Sequence, residues 1–136
     1  SVRNSMRYLL AVIFSALLLL VVACGSEPKP DDVAGKAAKL YYDYLVEGKY
    51  ELFVDGYYQP DSIPASYREQ LVANAKMFAG QQKELHDGIL RVSVVRVVAD
   101  TARHVADAFL SLAYGDSTRE EVIVPMVERD KVWYMK

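Results

Sequence analysis

One thiol, two imidazoles and ten phenols carry most of the reactive chemistry in this 136-residue chain. The thiol is Cys24. It closes a run of sixteen uncharged residues, Tyr8 to Ala23, and Arg3 and Arg7 are the only charges before that run. A thiol is a strong soft nucleophile. As the sole cysteine, Cys24 excludes an intrachain disulfide and a zinc site built on several cysteines. The imidazoles are His86 and His104. Either is a natural proton carrier near neutral pH. Neither has Asp or Glu at metal-ligand spacing, and no neighbour in sequence orients it, so a structural or exposed role is the commoner fate. No Gly-rich phosphate loop, nucleophile elbow or Cys/His pair is present. No cofactor and no metal are expected.

The residues around the thiol say where the chain goes. A basic start, a short apolar centre and a small residue at the end describe a secretory signal peptide over residues 1–23. The run is shorter than the ~20 residues a spanning helix needs. Met6-Arg7 makes a natural beginning. Val21-Val22-Ala23-Cys24 resembles a bacterial lipobox. The resemblance implies cleavage before Cys24 and a diacylglyceryl group on its sulfur, followed by acylation of the new amino group. Several chains anchor stably where one is marginal. The implied address is the bacterial cell envelope, lipid-anchored. Gly25 lacks the aspartate that retains some lipoproteins at the inner membrane, so the outer membrane is the expected site in a cell with two. The alternative is an uncleaved signal anchor with an incidental cysteine.

Gly25-Ser26-Glu27-Pro28-Lys29-Pro30 follows the thiol; small, polar and proline residues read as a tether, so that 24–30 separates domain from membrane. Residues 31–136 are one ordinary domain, long enough for a real core. The chain carries a net charge of −2, and without Arg3 and Arg7 14 basic residues face 18 acidic ones. With no basic cluster, nucleic-acid binding has no electrostatic footprint.

Three helices are predicted first. Asp31 and Asp32 suit the N-terminus of a helix, as cap and as dipole partners. Val33, Ala37, Leu40, Tyr41, Tyr44 and Leu45 recur at helical spacing until Gly48 stops the pattern. Tyr50, Phe53, Val54 and Tyr57 predict a short second helix, broken by Gly56, Pro60 and Pro64. A third begins near Pro64 to Ser66, where Ser66-Tyr67-Arg68-Glu69 reads as a capping box. Tyr67, Leu71, Asn74 or Ala75, Phe78 and Gln82 share its face, and it ends near Leu85.

Four strands follow. Ile89 to Ala99 is valine-rich and alternates, with Leu90, Val92, Val94 and Val98 on one face and Arg91 and Ser93 on the other. Arg103 to Tyr114 puts Ala106, Ala108, Leu110 and Leu112 inward. Thr118 to Glu128 is the third strand, with Pro125 marking a bulge or an edge. Val132 to Met135 is the last. Short turns between them predict an antiparallel meander, and helices before strands predict an α+β domain. The helix ending in Gly48-Lys49-Tyr50-Glu51, the hairpin entry Thr101-Ala102-Arg103-His104-Val105 and the terminal Val132-Trp133-Tyr134 resemble the NTF2-like superfamily, in particular small lipoproteins of the DUF4878 type. The resemblance implies N-terminal helices packed on a curved antiparallel sheet of about four strands, a cone that in some relatives keeps a pocket.

The expected pocket residues are Tyr41, Tyr44, Phe78, Arg96, His104 and Leu110. The floor read from alternation is apolar, with Arg96 and His104 its polar exceptions and Asp107 outside. Tyr41, Tyr44, Tyr50, Tyr57 and Tyr67 crowd the helical half. A helical aromatic stripe is commonly core; the sharper alternative is an aromatic pocket for a small or glycan-like ligand. Val105, Phe109, Ile123 and Val127 predict an apolar outer sheet face suited to a homodimer or an envelope protein partner. The resulting expectation is a lipid-anchored, non-enzymatic module that binds a partner protein or small ligand. The alternative, which some NTF2-like relatives imply, is an isomerase, dehydratase or hydrolase using His104, Arg96 and a tyrosine in the cone.

Overall fold

A computed structural model describes residues 29–136, and the leader, Cys24 and most of the tether lie outside them. The chain forms α1 (Pro30–Val46), α2 (Tyr50–Asp55), α3 (Ala65–His86), then β1 (Ile89–Asp100), β2 (Val105–Tyr114), β3 (Arg119–Arg129) and β4 (Val132–Met135). The strands make one antiparallel sheet in the order β1-β2-β3-β4.

α1 begins one residue before the two aspartates, with Pro30 at its first position and Lys29 as an extended N-cap. Proline suits this place because its missing N–H would have no helical acceptor. Asp31 and Asp32 therefore lie inside the first turn, where they complement the helix dipole, and do not cap it. Gly48, at φ +78°, ends the helix as expected. The capping box at Ser66 does not form: Pro64 is the N-cap of α3, and no side chain caps it. The residue before a helix needs extended backbone, and Pro64 at ψ 145° supplies it two positions earlier.

α1 lies on the inner face of the sheet and buries Ala34, Gly35, Ala38 and Leu45. Small residues let the helix sink close. A Cβ on Gly35 would stand 2.9 Å from Val97 and 3.2 Å from Val94. Beneath α1 the inner face presents Val92, Ala106, Ala108, Leu110, Leu112, Val124, Met126, Trp133 and Met135, all buried. This core closes between Ala34 and Met135. The domain thus holds within residues 29–136 the buried apolar surface an independently folding unit needs.

β1 departs from simple alternation. Its register against β2 shifts between Ile89 and Arg91 and again between Val94 and Arg96. Each bulge inserts one residue, Leu90 and then Val95, and reverses which face the following side chains take. Ile89, Val92, Val94, Val97 and Ala99 pair with inward β2 residues, whereas Val98 pairs with outward Asp107. Leu90 and Val98, predicted inward, are therefore 68% and 55% exposed. Pro125 marks neither a bulge nor an edge: β3 is an interior strand with continuous pairing to β2. Its carbonyl accepts from the Lys136 N–H at 2.9 Å. The nitrogen points the same way, toward the end of β4, so no bond to β2 is lost.

Candidate functional site

The interior of the cone is filled. Leu110, Leu112 and Met126 are fully buried and Met135 nearly so. Tyr41 seals the seam between α1, α2 and β4: its hydroxyl donates to the Trp133 carbonyl at 2.7 Å, and its ring covers Gly56, where a Cβ would come within 2.5 Å. Burial, then Tyr134 and Tyr44, raises the pKa of its phenol. The Gly56 carbonyl accepts from the Met135 N–H, and the Met135 carbonyl accepts from the Tyr58 N–H, each at 2.8 Å. This joint fixes the segment after α2 and aims Tyr57 back toward the helices.

One open space lies there, in the helical layer. A groove of about 480 Å³ runs between α1, α2 and α3. Its floor is a ladder of three rings. Tyr42 and Phe53 meet edge to face at 5.6 Å, and Phe53 and Tyr57 do the same at 5.7 Å. Leu45 and Val54 extend this floor, and Tyr67, Leu71, Asn74, Ala75 and Phe78 from α3 form the far wall. Helical spacing explains the wall: 67, 71, 74 and 78 recur every three or four residues along one flank.

Among the described residues, the titratable side chains on the groove are Tyr42, Tyr57 and Tyr67. Burial, with Tyr57 adding to it, pushes the Tyr42 phenol up to about 12. Burial also raises Tyr57. Both stay protonated near neutral pH and act as hydrogen-bond donors, not as bases. Gln59 and Asn74 supply amides. The arrangement can enclose an apolar body of small-molecule size and orient it by a few polar contacts. Past Gln59 the groove meets a second depression lined by Tyr58, Tyr134 and the Arg68–Asp55 pair.

The six residues expected to share a pocket are dispersed. Phe78 stands on the groove rim. Tyr41 and Leu110 belong to the packed interior. Tyr44 is half-buried, with the Lys49 ammonium 5.9 Å from its ring centre. Arg96 lies on the outer face, because the bulge at Val95 turned it over; its guanidinium covers the Phe109 ring at 3.8 Å. His104 sits exposed on the β1–β2 turn at φ +56°, its Nδ1 3.0 Å from Glu128 Oε1. His86 also has a partner that sequence spacing hid, with Nδ1 2.9 Å from Asp116 Oδ2 and the imidazole stacked on Tyr114. Neither imidazole lines the groove. No cluster of three His, Cys, Asp or Glu fit to hold a metal occurs among the described residues, and no described helix is long and apolar enough to cross a membrane.

The outer sheet face is less bare than alternation implied. Arg96 covers Phe109 and Val127 is 3% exposed, whereas Ile123 is 58% exposed. Sequence reasoning missed Tyr42, Phe53 and Asn74 as groove residues. The run Tyr41-Tyr42-Asp43-Tyr44 held a signal for the first, since three phenols within four residues of a helix cannot all face one core.

No protein-family model and no curated protein matches the chain. Solved structures do. A protein from Campylobacter jejuni described as an NTF2-like transpeptidase superposes with a TM-score of 0.59, over 72% of this chain and 92% of that one, at 11% identity. The fold is NTF2-like. Within it α1 and Tyr41 occupy the space over the sheet, and a groove opens between the three helices.

Proposed function

We propose that the chain is a bacterial cell-envelope lipoprotein, held by lipid on Cys24, whose NTF2-like domain binds a small apolar molecule in the groove between its three helices. The observation that carries the binding role is the Tyr42–Phe53–Tyr57 ladder facing an open 480 Å³ space. Apolar pockets of a few hundred Å³ with scattered polar groups are the usual form of ligand sites. Binding rather than chemistry is supported by the lining: among the described residues its titratable groups are phenols, two of them raised, and neither carboxylate nor imidazole lines it. The anchoring half of the proposal is supported by Arg3, Arg7, the uncharged run from Tyr8 and Ala23-Cys24.

Two measurements test it. Labelled palmitate should enter the wild-type chain in a bacterial host and not the Cys24→Ser variant; equal labelling removes the anchor. The neutral dye N-phenyl-1-naphthylamine should brighten on residues 29–136 and should not on Asn74→Trp, which fills the groove from its wall. Equal dye binding by both removes the groove from the proposal.

A further inference from the structure

The groove does not end at its apolar floor. Val54, Tyr57 and Gln59 line it and also line the second depression, a space of about 400 Å³, so the two adjoin along the loop after α2. Their linings differ in kind. The groove offers rings and aliphatic side chains with two amides. The depression offers Asp55, Asp61, Ser62 and Arg68 beside the rings of Tyr58 and Tyr134, whose centres stand 5.7 Å apart at 50°. A backbone bond fixes this aromatic wall: the Tyr58 N–H donates to the Met135 carbonyl at 2.8 Å, next to Tyr134 on β4. The charges balance. Arg68 is closed on Asp55 by two bonds, Nε to Oδ1 at 3.1 Å and Nη2 to Oδ2 at 3.0 Å. The Arg129 guanidinium stands 5.4 Å from the centre of the Tyr58 ring and donates to the Glu128 carbonyl at 2.7 Å. Two guanidiniums thus offset Asp55 and Asp61, and both are already engaged.

We propose that the ligand is an amphiphile with an uncharged sugar head, its apolar body lying in the groove and its head in the depression. The proposal rests on the groove's binding role and adds the class of molecule. A sugar ring has an apolar C–H face and a rim of hydroxyls. The C–H face suits the electron-rich faces of Tyr58 and Tyr134. Each hydroxyl both donates and accepts, so the rim can donate to Asp61 and accept from Ser62 or the Gln59 amide. An anionic head must displace Asp55 from Arg68 to gain a bidentate partner. A cationic head meets Arg129 already over the ring it would seek. Either charge would give up hydration without a free partner, a cost that an uncharged head escapes.

The experiment is amide chemical-shift mapping by NMR on residues 29–136, titrated with octyl glucoside and with octanol, the glucoside kept below its micelle concentration. Octanol should shift the groove wall at Leu71, Asn74 and Phe78. Octyl glucoside should shift that wall and also Tyr58, Asp61, Ser62 and Tyr134. Tyr134→Ala should weaken octyl glucoside by about tenfold, the effect of one or two net contacts, while octanol binds as before. If Tyr134→Ala does not fold, Asp61→Ala on the exposed loop decides the matter by the same selective loss. A glucoside that shifts the groove wall alone, or that binds both variants as tightly as wild type, overturns the sugar head and leaves the groove's binding role standing. Octanoate or octyltrimethylammonium binding more tightly than the glucoside overturns the uncharged head. Shifts in neither region with either octyl compound overturn both readings.

Discussion

Gly56→Ala tests how tightly the groove is tied to the core. The glycine has an ordinary helical φ of −73°, so alanine meets no backbone strain there. The cost is steric. The new Cβ would stand 2.5 Å from Tyr41 Cδ1, 2.7 Å from Cγ and 2.9 Å from Cε1, whereas ordinary contact begins near 3.4 Å. The ring must move most of an ångström, yet its hydroxyl is held 2.7 Å from the Trp133 carbonyl. Overpacking costs about 1–3 kcal/mol, and weakening that hydrogen bond adds about 1 kcal/mol. We expect a loss of about 2–4 kcal/mol in urea unfolding, and a Tm lowered by more than 8 °C. The assay is a double-mutant cycle with Tyr41→Ala. In that background the methyl fills vacated space and should cost nearly nothing, giving a coupling energy of about 2 kcal/mol. Equal costs in both backgrounds would refute the reasoning, for the penalty would then lie in the backbone and not in the Tyr41 contact.

Three further outcomes follow from the same fold. Gly80→Ala meets nothing within 4 Å in the middle of α3, so it should stabilise by about 1 kcal/mol and raise Tm by roughly 4–8 °C; a lower Tm in a thermal melt counts against an open Gly80. Asp116 is held at about 2 by hydrogen bonds from Thr118 and His86. Its folded pKa lies below its unfolded one, so its contribution is present above the ordinary carboxylate range and is lost as pH falls toward 2. Thermal melts should therefore lose Tm more steeply for wild type than for Asp116→Asn between pH 5 and 2, and parallel curves would sink this. Tyr42, raised to about 12, favours the folded state at neutral pH, and that contribution is lost as pH rises from 10 through 12. Tyr41, Tyr57 and Tyr114 are raised as well, so absorbance titration at high pH should show several late phenols, of which Tyr42→Phe removes one; an unchanged titration would mean that Tyr42 is not buried under α3.

The elements were legible because local rules govern them. Gly48 at φ +78° and Asp87-Gly88 at φ 59° and 83° stop helices wherever the pattern put stops, and the meander follows from four runs separated by short turns. What failed to show were events with no local signature. A bulge is decided by two strands together, so nothing in Val92-Ser93-Val94-Val95-Arg96 announces that Val95 is the inserted residue. That one insertion moved Arg96 from the expected pocket to the outer sheet face. The partners of the two histidines stand 30 and 24 residues away, across turns whose geometry only the folded chain sets. The groove pairs Tyr42 on α1 with Asn74 on α3, and no periodicity within either helix links them.

Where the groove lies follows from three small residues. Ala34, Gly35 and Ala38 bring α1 down onto β1 until a methyl on Gly35 would press Val97. A helix seated that low fills the space between sheet and helices with its own backbone and with Tyr41. α3 then has little of the sheet to cover. It packs on α1 and α2 along Leu71, Val72 and Ala75 and leaves its next flank open. The empty cone and the exposed α3 stripe are alternatives: bulk at position 35 would lift α1 and reopen the interior, while glycine there closes it and moves the accessible apolar surface outward. The groove and the exposed stripe on α3 are thus two consequences of one close approach.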